Sequence, residues 1–106
     1  MCLLRVEVAT GRSPKSLGAL LANAARNFAV LSAPMRLHVL NSLSHGEKNV
    51  SELLANLPTT QSNLSQHLGM LYKAKFIATR RVGTQIYYSI TDERIIRLCN
   101  LMCERE

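Results

Sequence analysis

The chain has 106 residues, 47% of them hydrophobic and 19% charged, enough for one packed core and too few for a second domain of ordinary size. Thirteen lysines and arginines against seven acids give a formal net charge of +6, a balance that favours polyanionic partners. The three cysteines are an odd number, which excludes a fully paired disulfide framework and suits free thiols in a reducing compartment.

Residues 1–15 read as an N-terminal arm and residues 16–106 as a single domain. Leu3 and Leu4 stand together only briefly before Arg5, so no signal-peptide core is present, and the apolar run Leu17 to Ala25 is too short to span a bilayer. A cytoplasmic protein with no membrane partner is expected. The first helix runs from Ser16 to Leu31, with Leu17, Leu20, Leu21, Ala24, Phe28 and Leu31 at helical spacing after Ser13-Pro14. Ala33-Pro34 breaks it, and Pro34 suits the first turn of a second helix to Ser44, in which Met35, Val39, Leu40 and Leu43 face inward before Gly46. A third, short helix covers Val50 to Leu57, capped by Asn49 or Ser51 and burying Leu53, Leu54 and Leu57.

Only Pro58-Thr59-Thr60 separates that helix from the next, Gln61 to Ala74. This is the connection of a helix-turn-helix, and Thr60 is placed to cap the second member. Leu64, Leu68 and Leu71 form its buried stripe, while Ser62, Gln66, Gly69 and Lys73 fall on the other side. An outer face of small hydroxyl and amide groups can exchange hydrogen bonds with base edges, as a DNA recognition helix does. From Phe76 to Ile90 two strands flank Val82-Gly83-Thr84, a β-hairpin with Gly83 at its tip. Thr91-Asp92-Glu93 opens a last helix through Ile95, Ile96, Leu98, Leu101 and Met102. The fold class is therefore mainly α, with some β: about five helices plus a two-stranded wing, a winged helix-turn-helix. Its first and last helices have more apolar surface than one small domain covers, so a homodimer through Leu17, Leu21 and Phe28 and through Ile95, Leu98 and Met102 is expected.

Between Leu53 and Thr91 there is no acid, while Lys73, Lys75, Arg80 and Arg81 all lie there, so the positive charge concentrates on the reading head. Gln61, Ser62, Ser65 and Gln66 are the candidate major-groove residues, with Lys73, Arg80 and Arg81 on phosphates or in the flanking minor groove. Asn63 and His67 on the same helix and Gly83 at the wing tip complete the candidate DNA contacts. His67 sits beside the leucine stripe, where a packed imidazole bonded to the backbone competes with a phosphate contact; His38 and His45 read as surface or capping residues. Tyr87 and Tyr88 alternate across a strand, so one packs inward and one outward. No Ser-His-Asp set, carboxylate pair or phosphate loop is visible, which argues against an enzyme. The competing reading is a winged-helix protein-interaction module without an operator, which would lack the steep salt dependence of a DNA binder.

Leu31-Ser32-Ala33-Pro34-Met35-Arg36-Leu37-His38-Val39-Leu40 resembles the L-S-x-P-x-R-L-x-[IV]-L signature of the ArsR/SmtB family of bacterial winged-helix repressors. Gln61 to Leu68 with Leu71 resembles that family's recognition helix, and Arg80-Arg81-Val82-Gly83 with Tyr87-Tyr88 its wing. The resemblance implies a homodimer that occupies palindromic double-stranded operator DNA until an inducer binds. The C-x-C pair of the arsenic and cadmium sensors is missing from SELLANL, and the last helix lacks the histidines of the zinc, nickel and cobalt sensors. The reactive-sulfur subgroup pairs a second-helix cysteine with one in the last helix; the second-helix position corresponds to Asn41 here.

Cys99 and Cys103 share a face of the last helix, with Cβ atoms about 6 Å apart where a disulfide needs about 4 Å. They read either as sensing thiols, with Cys2 supplying a third, or as a small buried hydrophobe and an incidental terminal thiol. No cofactor is firmly implied; a soft metal or metalloid on Cys2, Cys99 and Cys103 is the one candidate.

Overall fold

The computed structural model describes residues 16–103; the N-terminal arm expected over 1–15, with Cys2, lies outside them. In chain order the elements are α1 (Leu17–Leu31), α2 (Pro34–Leu43), β1 (Lys48–Asn49), α3 (Val50–Asn56), α4 (Gln61–Lys73), β2 (Ile77–Val82), β3 (Gln85–Ile90) and α5 (Glu93–Met102). The described residues thus form five helices and a winged helix-turn-helix, as the periodicity predicts.

Four of the five helices start where a side chain takes an orphan backbone N–H, and α2, after Ala33, starts on Pro34, which has no N–H to satisfy. Ser16 accepts from Ala19 N at 3.1 Å, and Thr60 from Asn63 N at 3.1 Å. At α3, Asn49 Oδ1 accepts from Glu52 N at 2.8 Å while Asn49 N donates to Glu52 Oε1 at 2.9 Å, a reciprocal capping box. Asp92 opens α5, accepting from Arg94 N at 2.9 Å.

The core is one cluster. Val39, Leu40 and Leu43 of α2, Leu53 and Leu57 of the α3 segment, Leu64, Leu68 and Leu71 of α4, and Phe76, Ile77 and Ile95 are buried together. Leu54, expected inside with Leu53 and Leu57, is only half-buried against this cluster. Ile95 departs further from expectation: it is 6% exposed and part of the protomer's own core, so it is not a surface residue.

The wing is larger than a hairpin. The sheet has three antiparallel strands in the order β1-β3-β2, with Lys48 opposite Tyr88 and Asn49 opposite Tyr87. The two residues of β1 carry no periodicity of their own and exist as a strand only because β3 lies beside them. Between β2 and β3, Val82 pairs with Gln85 across a two-residue turn, and Gly83 takes its first central position at φ 63°, where a Cβ would be strained.

Candidate nucleic-acid interface

The face of α4 turned away from the core is formed as the sequence predicts. Leu64, Leu68 and Leu71 are at most 3% exposed, and Gln61, Ser62, Asn63, Ser65, Gln66, Gly69 and Lys73 are all exposed on one contiguous surface. Thr60 caps the N-terminus of α4 through Asn63 N, and the first turn carries the exposed polar side chains of Gln61, Ser62 and Asn63 outward.

Strand alternation divides the wing. Ile77, Thr79 and Arg81 lie on one face with their partners Ile90, Tyr88 and Ile86, and Ala78, Arg80 and Val82 on the other with Ser89, Tyr87 and Gln85. The first is the α4 side: Thr79 and Tyr88 line a shallow recess with Ser65, Leu68, Gly69 and Tyr72. Arg81 therefore projects beside α4 and is exposed. Arg80 projects from the opposite face, where its guanidinium grips the Glu47 carboxylate, with Nε donating to Oε2 at 3.3 Å, and stands 5.9 Å from the centre of the Tyr87 ring. The Arg80 guanidinium holds the Glu47 carboxyl below the usual carboxylate range. Of the two tyrosines, Tyr88 is the one packed against the core.

His67 does not bond the backbone. Its Nδ1 accepts from Arg36 Nη1 at 3.2 Å, and Arg36 Nε donates to the Val30 carbonyl at 2.6 Å, so one partly buried guanidinium ties the end of α1 to the middle of α4. Neither Glu47 nor Arg36 stands among the residues expected to shape the site. Arg36 is the arginine of the P-x-R-L motif, a signal in the sequence; Glu47 has none. His45 caps α2 by donating from Nδ1 to Asn41 O at 2.9 Å, and His38 is exposed.

Cys99 is half-buried and Cys103 exposed at the C-cap of α5. Both line a recess of about 400 Å³ between α2 and α5, together with Asn41, His38 and Ile96. Burial, reinforced by the neighbouring Cys103, pushes the Cys99 thiol up from its ordinary value. Among the described residues no group of three His, Cys, Asp or Glu side chains is arranged to hold a metal ion.

A model of bacterial regulatory proteins of the arsR family matches residues 33–79. The Biofilm growth-associated repressor of Agrobacterium fabrum is 41% identical over 68 residues, 64% of this chain and 58% of that protein. The chain thus spans little more than half the length of that curated relative. Among solved structures, M. tuberculosis Rv0081 aligns with a TM-score of 0.73 at 36% identity, covering 78% of this chain and 84% of that one. The homodimeric winged helix-turn-helix DNA-binding domain of Mb0332 from Mycobacterium bovis, a possible ArsR-family transcriptional regulator, aligns with a TM-score of 0.73 at 30% identity over 86% of each chain.

Proposed function

The chain belongs to the bacterial arsR family, and on that premise we propose that it is a dimeric, sequence-specific DNA-binding repressor. One observation carries the reading: α4 presents Gln61, Ser62, Ser65 and Gln66 on an exposed face without a carboxylate, capped and aimed by Thr60, with Arg81 beside it on the same side of the wing. Amide and hydroxyl groups there are suited to base edges, and Lys73 and Arg81 to the flanking phosphates. The two-fold axis of a homodimer would match a palindromic operator.

The test separates the two kinds of contact. Gln66→Ala should cost about 1 to 3 kcal/mol at one operator position and relax specificity there, whereas Arg81→Ala should weaken binding to all duplexes and lower the salt slope by about one unit. Fluorescence anisotropy on a duplex selected by the protein from a random library, and on random duplex, reads both. Equal losses on both duplexes for both variants would refute the assignment, and binding without a steep salt dependence would favour the protein-interaction module.

Derepression is assigned to the thiols of α5. Their support is the shared recess, which Cys99 and Cys103 of α5 line together with Asn41 of α2; a modification there would shift α5 against the reading head. Operator release by persulfide, peroxide or arsenite should occur for the wild type and be lost in the Cys99→Ser, Cys103→Ser double variant. Retained release in that variant, or none in the wild type, would leave both cysteines as packing residues.

A further inference from the structure

Two recesses flank α4, and they differ in chemistry. The one toward the wing is lined by Ser65, Leu68, Gly69, Tyr72, Thr79 and Tyr88 and contains no cation. The one toward α2, about 480 Å³ and open to solvent, is lined by Arg36, Gln66, His67, Gly69, Met70 and Lys73 and contains no carboxylate. Arg36 and Lys73 bring permanent charge to it, and among the described residues neither forms an ion pair.

The hydrogen bonds fix what the recess can bind. An arginine has five N–H donors and no acceptor. Its contact with His67 Nδ1 therefore runs from the guanidinium to an unprotonated ring nitrogen, which leaves the imidazole proton on Nε2. Val30 and His67 engage two of the five donors. The guanidinium has donors to spare, His67 offers Nε2–H, and Gln66 and Lys73 add further donors at the rim. A pocket that offers mainly donors and two cations calls for an anion with several oxygens.

We propose that this recess seats a backbone phosphate of the DNA, with Arg36 as its principal ligand and His67 as the group that orients the guanidinium. The proposal rests on the DNA-binding reading above and extends it to a residue outside the helix-turn-helix. An α-helix in the major groove has a phosphate row on either side. The wing, through Arg81, faces one row; the α2-side recess is the cationic feature that faces the other. Because Arg36 also holds the last turn of α1 through Val30, a phosphate seated on it braces α1 against the reading head.

The experiment uses a duplex selected by the protein from a random library and remade with a single neutral methylphosphonate linkage at each position in turn. For the wild type, neutralising one linkage per half-site on the flank away from the wing should weaken binding about tenfold. In Arg36→Lys the same neutralisation should cost less than about twofold, and in Lys73→Gln less than in the wild type but more than in Arg36→Lys, while penalties at linkages on the wing side persist. Arg36 bridges two helices, so Lys73→Gln, a surface change, serves as the variant that keeps the fold. A purely structural Arg36 would weaken every duplex alike and leave the linkage-specific penalty in place, which overturns the proposal with the DNA reading intact. Failure to select any duplex overturns both.

Discussion

Arg80 and Arg81 are chain neighbours of the same type, and the pleat sends them to opposite faces of the wing. Arg80 is compensated by Glu47 and stacked near Tyr87, so its charge is partly spent within the protomer. Arg81 remains exposed on the α4 side. Removing the compensating acid should therefore free a second cation on the wing, one that could swing toward DNA. Glu47→Gln is expected to tighten binding to random duplex by a few fold and to steepen the salt slope by up to about one unit; titrations at several salt concentrations check it, and an unchanged slope would mean that Arg80 stays directed away from DNA even when unpaired. The pair is exposed, so its loss should hardly change stability. Its pH window lies low: with the Glu47 carboxyl held below its ordinary value, the pair is complete above that ordinary value and dissolves as pH falls through the lowered one.

At the element scale, the end of α4 is built against propensity. Lys75 N donates to Tyr72 O at 2.9 Å and Phe76 N to Leu71 O at 3.0 Å, the paired bonds of a Schellman motif, with Phe76 and Leu71 packed together in the core cluster. The motif needs a left-handed residue, and Lys75 supplies it at φ 66°, where a Cβ is disfavoured by roughly 1 kcal/mol or somewhat more. Lys75→Gly should accordingly raise stability by about 1 kcal/mol, offset in part by the extra freedom of glycine in the unfolded chain. Thermal melting checks it. A fall in Tm would show that the Lys75 side chain contributes more than its backbone costs.

On the scale of the whole molecule, α1 is anomalous. Its fifteen residues include none that is buried, and Leu17, Leu21 and Phe28 are 49%, 53% and 57% exposed. A helix of that length is marginal in water without tertiary cover. On α5, Leu101 and Met102 are 67% and 75% exposed, and an apolar recess of about 390 Å³ between the two helices is lined by Phe28, Leu31, Leu98 and Leu101. A second copy of the chain is the expected cover. Sedimentation should give twice the chain mass at micromolar concentration, and Phe28→Asp should weaken the dimer by at least about thirtyfold and operator binding with it. A variant that remains dimeric would place the interface elsewhere.

The helices, the caps at Asn49 and Thr60 and the outward face of α4 follow from the sequence, because periodicity, capping and turn chemistry act over three to seven residues and each leaves a local pattern. Four particulars were decided by tertiary structure. Ile95 reads as one more apolar position of an amphipathic helix, yet the way α5 lies across the core puts it inside while Leu101 and Met102 stay out. Lys48 and Asn49 become a strand because β3 offers them a partner edge. Arg80 is divided from Arg81 by pairing register and then claimed by Glu47, 33 positions away in the chain. His67, bordering the leucine stripe, meets Arg36 of another helix across 31 positions in place of a backbone group. Contacts of that range depend on where whole elements come to rest, and no local run of residues encodes them.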